Sequence, residues 1–258
     1  MVSPVAARIW LALLLSHTIV AAPRAVLLHD EAGPMETLAA GLRKHGFDAA
    51  LQEQSAFRRP PVKDTVIFMY VHGVLETAVE DTLITWTEAG GRLVVLHHGM
   101  ASGKMRNTRW PGFLGIRILP RDAPENAWIV LRGDVDVVNL APAHWVTTHR
   151  VSWPETVAYT PSDAPSTEQQ LPAFRLSDTE FFNNQLFTDA RRKTVLLGVK
   201  ITSSGRPVMQ DRGGWVMPAG KGHVFYFQPG HFARDFEHAA FLQMLINAAR
   251  WQAGREQP

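Results

Sequence analysis

Two dense runs of β-forming residues, each closed by histidine and glycine, constrain this chain more than any other feature. Thr65-Val-Ile-Phe-Met-Tyr-Val71 ends in His72-Gly73, and Arg92-Leu-Val-Val-Leu96 ends in His97-His98-Gly99. Neither run alternates polar with apolar residues. A strand with one face in water must alternate, so these strands are expected to be buried on both faces, as in a parallel sheet covered by helices. Between them, Val79, Leu83, Trp86 and Thr87 share one face of a helix expected over Glu76 to Glu88, which Gly90-Gly91 stops. The same order opens the chain. Ala25 to His29 is apolar, Met35, Leu38, Ala39 and Leu42 fall at helical spacing, and Phe47 to Leu51 suits a second strand. This strand–helix–strand alternation predicts a single α/β domain with an open, mostly parallel sheet and helices on both faces.

The second half is less regular. Residues 100–125 carry glycine, proline and charge around a small apolar cluster, and residues 142–175, rich in Pro, Ser and Thr, read as loop with short strands. Strands are expected at Thr194 to Ile201, within Val208 to Met217 and at His223 to Phe227, with a tight turn at Ala219 to Gly222. Phe232 to Ala249 reads as one terminal helix with Asp235 in its first turn.

The N-terminus reads differently from the rest. Arg8 precedes an apolar run from Ile9 to Val20, and the small residues Ala21 and Ala22 follow it. That is the layout of a secretory signal, and the run is shorter than the roughly 20 residues needed to span a bilayer. The expected division is a signal peptide at 1–22, one domain at 23–254 and a tail at 255–258. The expected location is the periplasm or the outside of the cell, without stable membrane insertion after cleavage.

Composition removes several function classes. The chain contains no cysteine, which excludes disulfides, thiolate metal sites and a cysteine nucleophile. The 26 Lys and Arg are nearly balanced by 24 Asp and Glu and are scattered, so nucleic acid is not an expected partner. No G-x-G-x-x-G follows the first strand and no Walker A sequence is present, so no nucleotide cofactor is expected. G-x-S-x-G and H-E-x-x-H are also missing. Oligomeric state is left open.

In an open parallel sheet, ligands bind beyond the carboxyl ends of the strands. Histidine-bearing segments sit there repeatedly: His29-Asp30, His72-Gly73, His97-His98-Gly99 and Pro229-Gly230-His231. Adjacent histidines on an extended or turning segment point different ways, so His97 and His98 are not expected to share one role. Asp178 and Glu180 form an i, i+2 acidic pair that would share a face on a strand but need not in a turn. Imidazoles meeting a carboxylate suit proton transfer, sugar binding or a divalent metal such as zinc, and the residues alone leave these open.

Three segments carry a resemblance. Gly90-Gly91-Arg-Leu-Val-Val-Leu-His97-His98-Gly99-Met-Ala-Ser102, Asp178-Thr-Glu180-Phe-Phe, and Gly220-Lys-Gly-His-Val-Phe-Tyr-Phe-Gln-Pro-Gly-His231 with the helix to Trp251 are similar to the motifs of the ThuA-like, trehalose-utilisation family. The resemblance extends from about Ala25 to Gly254 and places the chain in the class I glutamine-amidotransferase-like superfamily. It implies a flavodoxin-like fold, sugar or keto-sugar chemistry and no amidotransferase activity, since the elbow that holds a cysteine in amidotransferases matches His97-His98-Gly99. It also implies His98, Glu180 and His231 as catalytic residues and as ligands of any metal. His29, His97, Asp178, Trp215 and Trp110 would be ligand-binding. Phe181 and Phe182 replace the usual tyrosine of the acidic motif and lose its hydroxyl. Two functions are therefore carried forward: a carbohydrate-active enzyme using acid/base or metal-assisted chemistry, and a non-catalytic carbohydrate-binding or assembly protein using the same cleft.

Overall fold

The computed structural model describes residues 21–125, 127–163, 167–189, 193–203 and 205–254. The expected signal peptide, apart from Ala21 and Ala22, and the expected tail lie outside the described residues. Among the described residues no helix is long and apolar enough to cross a membrane.

Strand and helix alternate at first, through β1 (Arg24–His29), α1 (Ala32–Lys44), β2 (Asp48–Glu53), β3 (Thr65–Tyr70), α2 (Thr77–Glu88) and β4 (Arg92–Leu96). Two short 3-10 turns, His97–Gly99 and Ser102–Arg106, lead to α3 (Trp110–Leu114) and β5 (Ile116–Ile118). Then come β6 (Ile129–Asn139), α4 (Trp145–Thr148), β7 (Glu155–Tyr159), β8 (Gln169–Asn183), β9 (Gln185–Phe187), β10 (Thr194–Ser203), β11 (Arg206–Ala219) and β12 (Gly222–Phe227). A 3-10 turn at Ala233–Glu237 precedes α5 (Ala239–Arg250), so the terminal helix expected from Phe232 is broken at His238.

Ten strands form one sheet in the order β2-β1-β3-β4-β12-β11-β10-β6-β8-β7, and β5 pairs with β9 separately. Neighbours are parallel from β2 to β12 and antiparallel from β12 to β7. The sheet is therefore mixed, not mostly parallel as expected. Its parallel half has the 2-1-3-4-5 order of one common class of doubly wound sheets. The other half differs because its connections lack helices long enough to return the chain. β11 and β12, for example, are joined by the two residues Gly220-Lys221, a link open only to antiparallel strands. The stretch read as loop with short strands over 142–175 contains β7 and the start of the 15-residue β8, which pair at the edge of the sheet.

The apolar runs behave as their composition requires. Every residue of β3 is buried. Val66, Phe68 and Tyr70 pack under α1 and α5, while Ile67 and Met69, with Val71 just beyond the strand, pack under α2 and α3. Each such side chain contributes about 1.5–3 kcal/mol of burial. The two faces thus carry separate cores with the sheet between them.

Where β12 begins, the backbone leaves no room for a side chain. A Cβ on Gly222 would collide with the carbonyl oxygens of Thr87 and Gly91, which belong to α2 and the turn after it. Gly222→Ala is expected to destabilise the fold by about 1–3 kcal/mol or more. Urea denaturation followed by circular dichroism checks this, and an unchanged midpoint would show that the α2–β12 packing is looser than described.

Candidate functional site

Because β1, β3, β4 and β12 run the same way, their carboxyl ends share one rim. β4 turns there into the 3-10 turn, and His97 takes a left-handed φ of 38°. A non-glycine residue in that region is strained, and such strain clusters at functional sites. The turn brings both adjacent rings to the same place, with centroids 4.3 Å apart. Both residues therefore belong to one cluster, although adjacent histidines were expected to point different ways.

Glu180 reaches the rim through a bulge. The β6–β8 register shifts between Gly133 and Val135, so that one residue of β6 faces two of β8, and Asp178 has φ 45°. One extra residue inverts the side-chain alternation of everything after it. Before the bulge Phe174 and Leu176 face the α1–α5 core, and after it Phe181 does, while Thr179 bonds Asp235 beside Phe236. Glu180 and Phe182 are thereby turned to the opposite face, where Phe182 lies 4.5 Å from the His97 ring. Asp178 is left outside, exposed and paired with Arg132 and Arg234 at 2.9 and 3.6 Å.

Four donors converge. His97, His98, Glu180 and His231 each offer one ligand atom within 4.8 Å of the others. His97 Nε2 lies 3.0 Å from His231 Nδ1 and 3.4 Å from Glu180 Oε1, and His231 Nδ1 lies 3.7 Å from the same oxygen. His97 Nδ1 donates to the carbonyl oxygen of Gln228 at 2.6 Å, since a carbonyl can only accept. In the neutral ring this leaves the lone pair on Nε2, pointing at the other donors.

Buried groups hold the arrangement. Asp235 Oδ2 accepts from Thr179 Oγ1 at 2.7 Å and from the Phe232 amide at 3.1 Å, tying the strand of Glu180 to the loop of His231. Tyr70 donates its hydroxyl to the His231 carbonyl at 2.9 Å. The side-chain amides of Gln228 and Gln210 both donate to the Phe182 carbonyl, at 2.5 and 2.6 Å. Sequence reasoning missed Tyr70, Gln210, Gln228 and Asp235 as site residues. Asp235 was read only as a first-turn acid, although its place four residues after His231 was visible.

Electrostatics keep the cluster ready to bind a cation. Burial pushes His98 far below the ordinary imidazole range, and His97, His72, His231 and Lys104 add to it. His231 is lowered by burial and by His97, against Glu180 and Asp235. Burial pushes the Glu180 carboxyl up, but its contact with His97 and the nearby imidazoles outweigh it and hold it below the usual range. Lys104, fully buried behind the rim, is pushed down to about 7 by burial, opposed by Asp30.

The remaining expected ligand-binding residues lie elsewhere. Trp110 and Trp215 are 0 % exposed, so neither presents a ring face to a ligand. Trp110 instead donates Nε1 to the Gly99 carbonyl at 2.7 Å, supporting the histidine turn. Trp215 packs against Tyr226 and Phe187. His29 is buried at the end of β1, in register with Tyr70, and is not one of the four clustered donors. A cavity of about 550 Å³ lined by His144, His223 and Trp251 shares no residue with the cluster and lies where β12 starts, at the opposite edge.

Comparison with known proteins decides the family. The model of the ThuA family, described as trehalose utilisation, matches residues 19–252. The chain belongs to the ThuA family. Among solved structures it is similar to a ThuA-like protein of Bacteroides uniformis, at 17 % identity and TM-score 0.59, covering 90 % of this chain and 92 % of that one. A ThuA-like protein of Parabacteroides merdae is similar at 12 % identity and TM-score 0.61, covering 92 % and 93 %. At these identities the likeness establishes a shared fold. No curated protein matches the chain. The chain is thus a carbohydrate-related ThuA-family protein with a buried His/His/Glu cluster compatible with acid–base or metal-assisted chemistry.

Two outcomes are expected. The imidazoles of His98, His231, His144 and His238 are lowered, and His223 falls from 6.5 to about 4. Each therefore binds protons more readily when unfolded, and the lowered Glu180 acts in the same direction at lower pH. Stability should be intact above the ordinary histidine range and fall as pH drops through it, so the urea midpoint at about pH 5 should lie below that at about pH 7. Asp235→Ala should cost about 1–3 kcal/mol through the donors it leaves unsatisfied, read from the same denaturation curves.

Proposed function

We propose that this ThuA-family protein is a carbohydrate-active enzyme that holds a divalent cation, zinc being the best fit, at the His97–His98–Glu180–His231 cluster. Its substrate would be a sugar or keto-sugar. The observation that carries this is the mutual spacing of the donors. Ligands 2.0–2.2 Å from a tetrahedral zinc lie about 3.3–3.6 Å from one another. The 3.0, 3.4 and 3.7 Å separations of His97, His231 and Glu180 bracket that edge length. The donor types agree as well: imidazole nitrogen and carboxylate oxygen, with no thiolate available because the chain has no cysteine. The Gln228 carbonyl supplies the outer hydrogen bond that orients a metal-binding imidazole.

When bound, such an ion acts as a Lewis acid toward carbonyl and hydroxyl oxygens. The chain's own residues do the rest. Gln228 fixes the His97 tautomer, Asp235 and Tyr70 keep Glu180 and His231 in register, and His98, neutral at physiological pH, can exchange a hydrogen bond with a sugar oxygen. Glu180 enters as the ionised carboxylate. The family description supports the substrate class. The Ile9–Val20 run followed by Ala21-Ala22 supports action outside the cytoplasm after leader removal.

Equilibrium dialysis against zinc should show about one equivalent per chain. Because His98, His231 and Glu180 are all held below their ordinary ranges, the affinity should hold through neutral pH and fall only at acid pH, as these donors take up protons. Glu180→Gln should weaken uptake at least about tenfold. Chelation should abolish turnover of any member of a panel of trehalose and its keto derivatives that the loaded protein converts. No uptake and no turnover would remove this reading.

A further inference from the structure

The four clustered donors are not equivalent. His97, Glu180 and His231 are joined to one another by the three short contacts at 3.0, 3.4 and 3.7 Å. His98 offers a ligand atom within 4.8 Å of the other three, and its ring packs against those of Tyr70, His72, His97, Phe182 and His231. One of these contacts is unusual. The His72 imidazole lies nearly flat on it, with centroids 4.2 Å apart and planes 21° from parallel.

His72 is solvent-exposed, yet its backbone is held from several sides. Asp30 accepts from the amides of His72 and Gly73, both at 2.7 Å. The buried Lys104 ammonium donates to the carbonyls of Val71 and Gly73, and the Gly103 amide donates to the His72 carbonyl at 3.2 Å. The two loops approach so closely that a Cβ on Gly103 would collide with the carbonyl carbon of Gly73. Folding alone does not explain burying a lysine to fix an exposed histidine, since desolvating an ammonium costs several kcal/mol.

We propose that His97, Glu180 and His231 alone ligate the ion, as a two-histidine, one-carboxylate set, and that His98 with His72 stacked on it forms the substrate-facing wall of the site, contacting a carbonyl or hydroxyl oxygen of the carbohydrate. Three protein ligands with a position left for an outside group are the usual composition of a catalytic zinc site. This division rests on the metal reading above. It makes His72 a substrate-contacting residue, and Lys104 and Asp30 the positioning residues that mount it.

The test uses zinc alone and then acetohydroxamate, a probe carrying a carbonyl and a hydroxyl oxygen. Zinc affinity is measured by chelator competition on the full chain, with circular dichroism to verify folding. His97→Ala, Glu180→Gln and His231→Ala should each weaken zinc by at least about tenfold, while His98→Gln and His72→Ala should keep it within about threefold of wild type. On zinc-loaded protein, those last two variants should bind acetohydroxamate about tenfold more weakly. If His98→Gln fails to fold, His72→Ala, on the exposed ring, carries the comparison. Loss of zinc on His98→Gln as large as on His97→Ala would make His98 a fourth ligand and overturn the division, as would wild-type acetohydroxamate affinity in both His98→Gln and His72→Ala. A wild-type chain that takes up no zinc overturns the metal reading itself, a pattern distinct from either.

Discussion

Strands that run in one direction must end at one edge. The histidines of the candidate site are gathered by that constraint acting on β1, β3, β4 and β12, whose ends carry His29, Val71-His72, His97-His98 and the Gln228–His231 loop. Neighbouring strand ends lie about 5 Å apart, so residues separated by more than a hundred positions become neighbours without any dedicated framework. The hydrogen bond from His97 to the Gln228 carbonyl, across 131 positions, is the tightest expression of this. It joins adjacent strand ends and fixes the tautomer of the central ring.

The antiparallel half has a different task. It supplies the carboxylate that the parallel half lacks at this place, and it delivers it from β8, which is not adjacent to β4 in the sheet. Reaching the histidines takes both the length of β8 and the change of face at its bulge. Asp235 and Thr179 then clamp the two halves together at the point where chemistry would occur. The polar groups in this seam are almost all paired, as a buried polar network requires if it is to order a site instead of loosening it.

Much of this was legible in the residues. The unbroken apolar runs at Thr65–Val71 and Arg92–Leu96 could only be strands covered on both faces, and histidines placed just after such strands pointed to the rim. Three features were not legible. The bulge depends on the pairing of Gly133 with Thr179, and periodicity within one strand does not reveal its partner's register. The inward rotation of both His97 and His98 needs a left-handed residue, which sequence signals firmly only when it is glycine, histidine being merely enriched there. The roles of Trp110 and Trp215 turned on burial, and an indole reads the same in a core as on a ligand platform. Asp178 and Glu180 looked like a pair because two residues apart is same-side spacing on a regular strand. The structure separates them with the one irregularity that spacing cannot show.

That irregularity has a consequence for how such a site can change over evolutionary time. The carboxylate is specified by phase: which face it occupies depends on how many residues precede it on β8, counted against β6. Removing one of Ser177 and Asp178 would erase the bulge and leave Glu180 on its present face, since Leu176 and Thr179 would still pair with Val135 and Gly133, whereas inserting one residue between Thr179 and Glu180 would leave every side chain chemically intact yet exchange inside for outside beyond it, withdrawing Glu180 from the imidazoles. A lineage could thus gain or lose this centre by a single-codon slip, with the histidines untouched, and two relatives sharing all the rim imidazoles could still differ in whether they bind an ion.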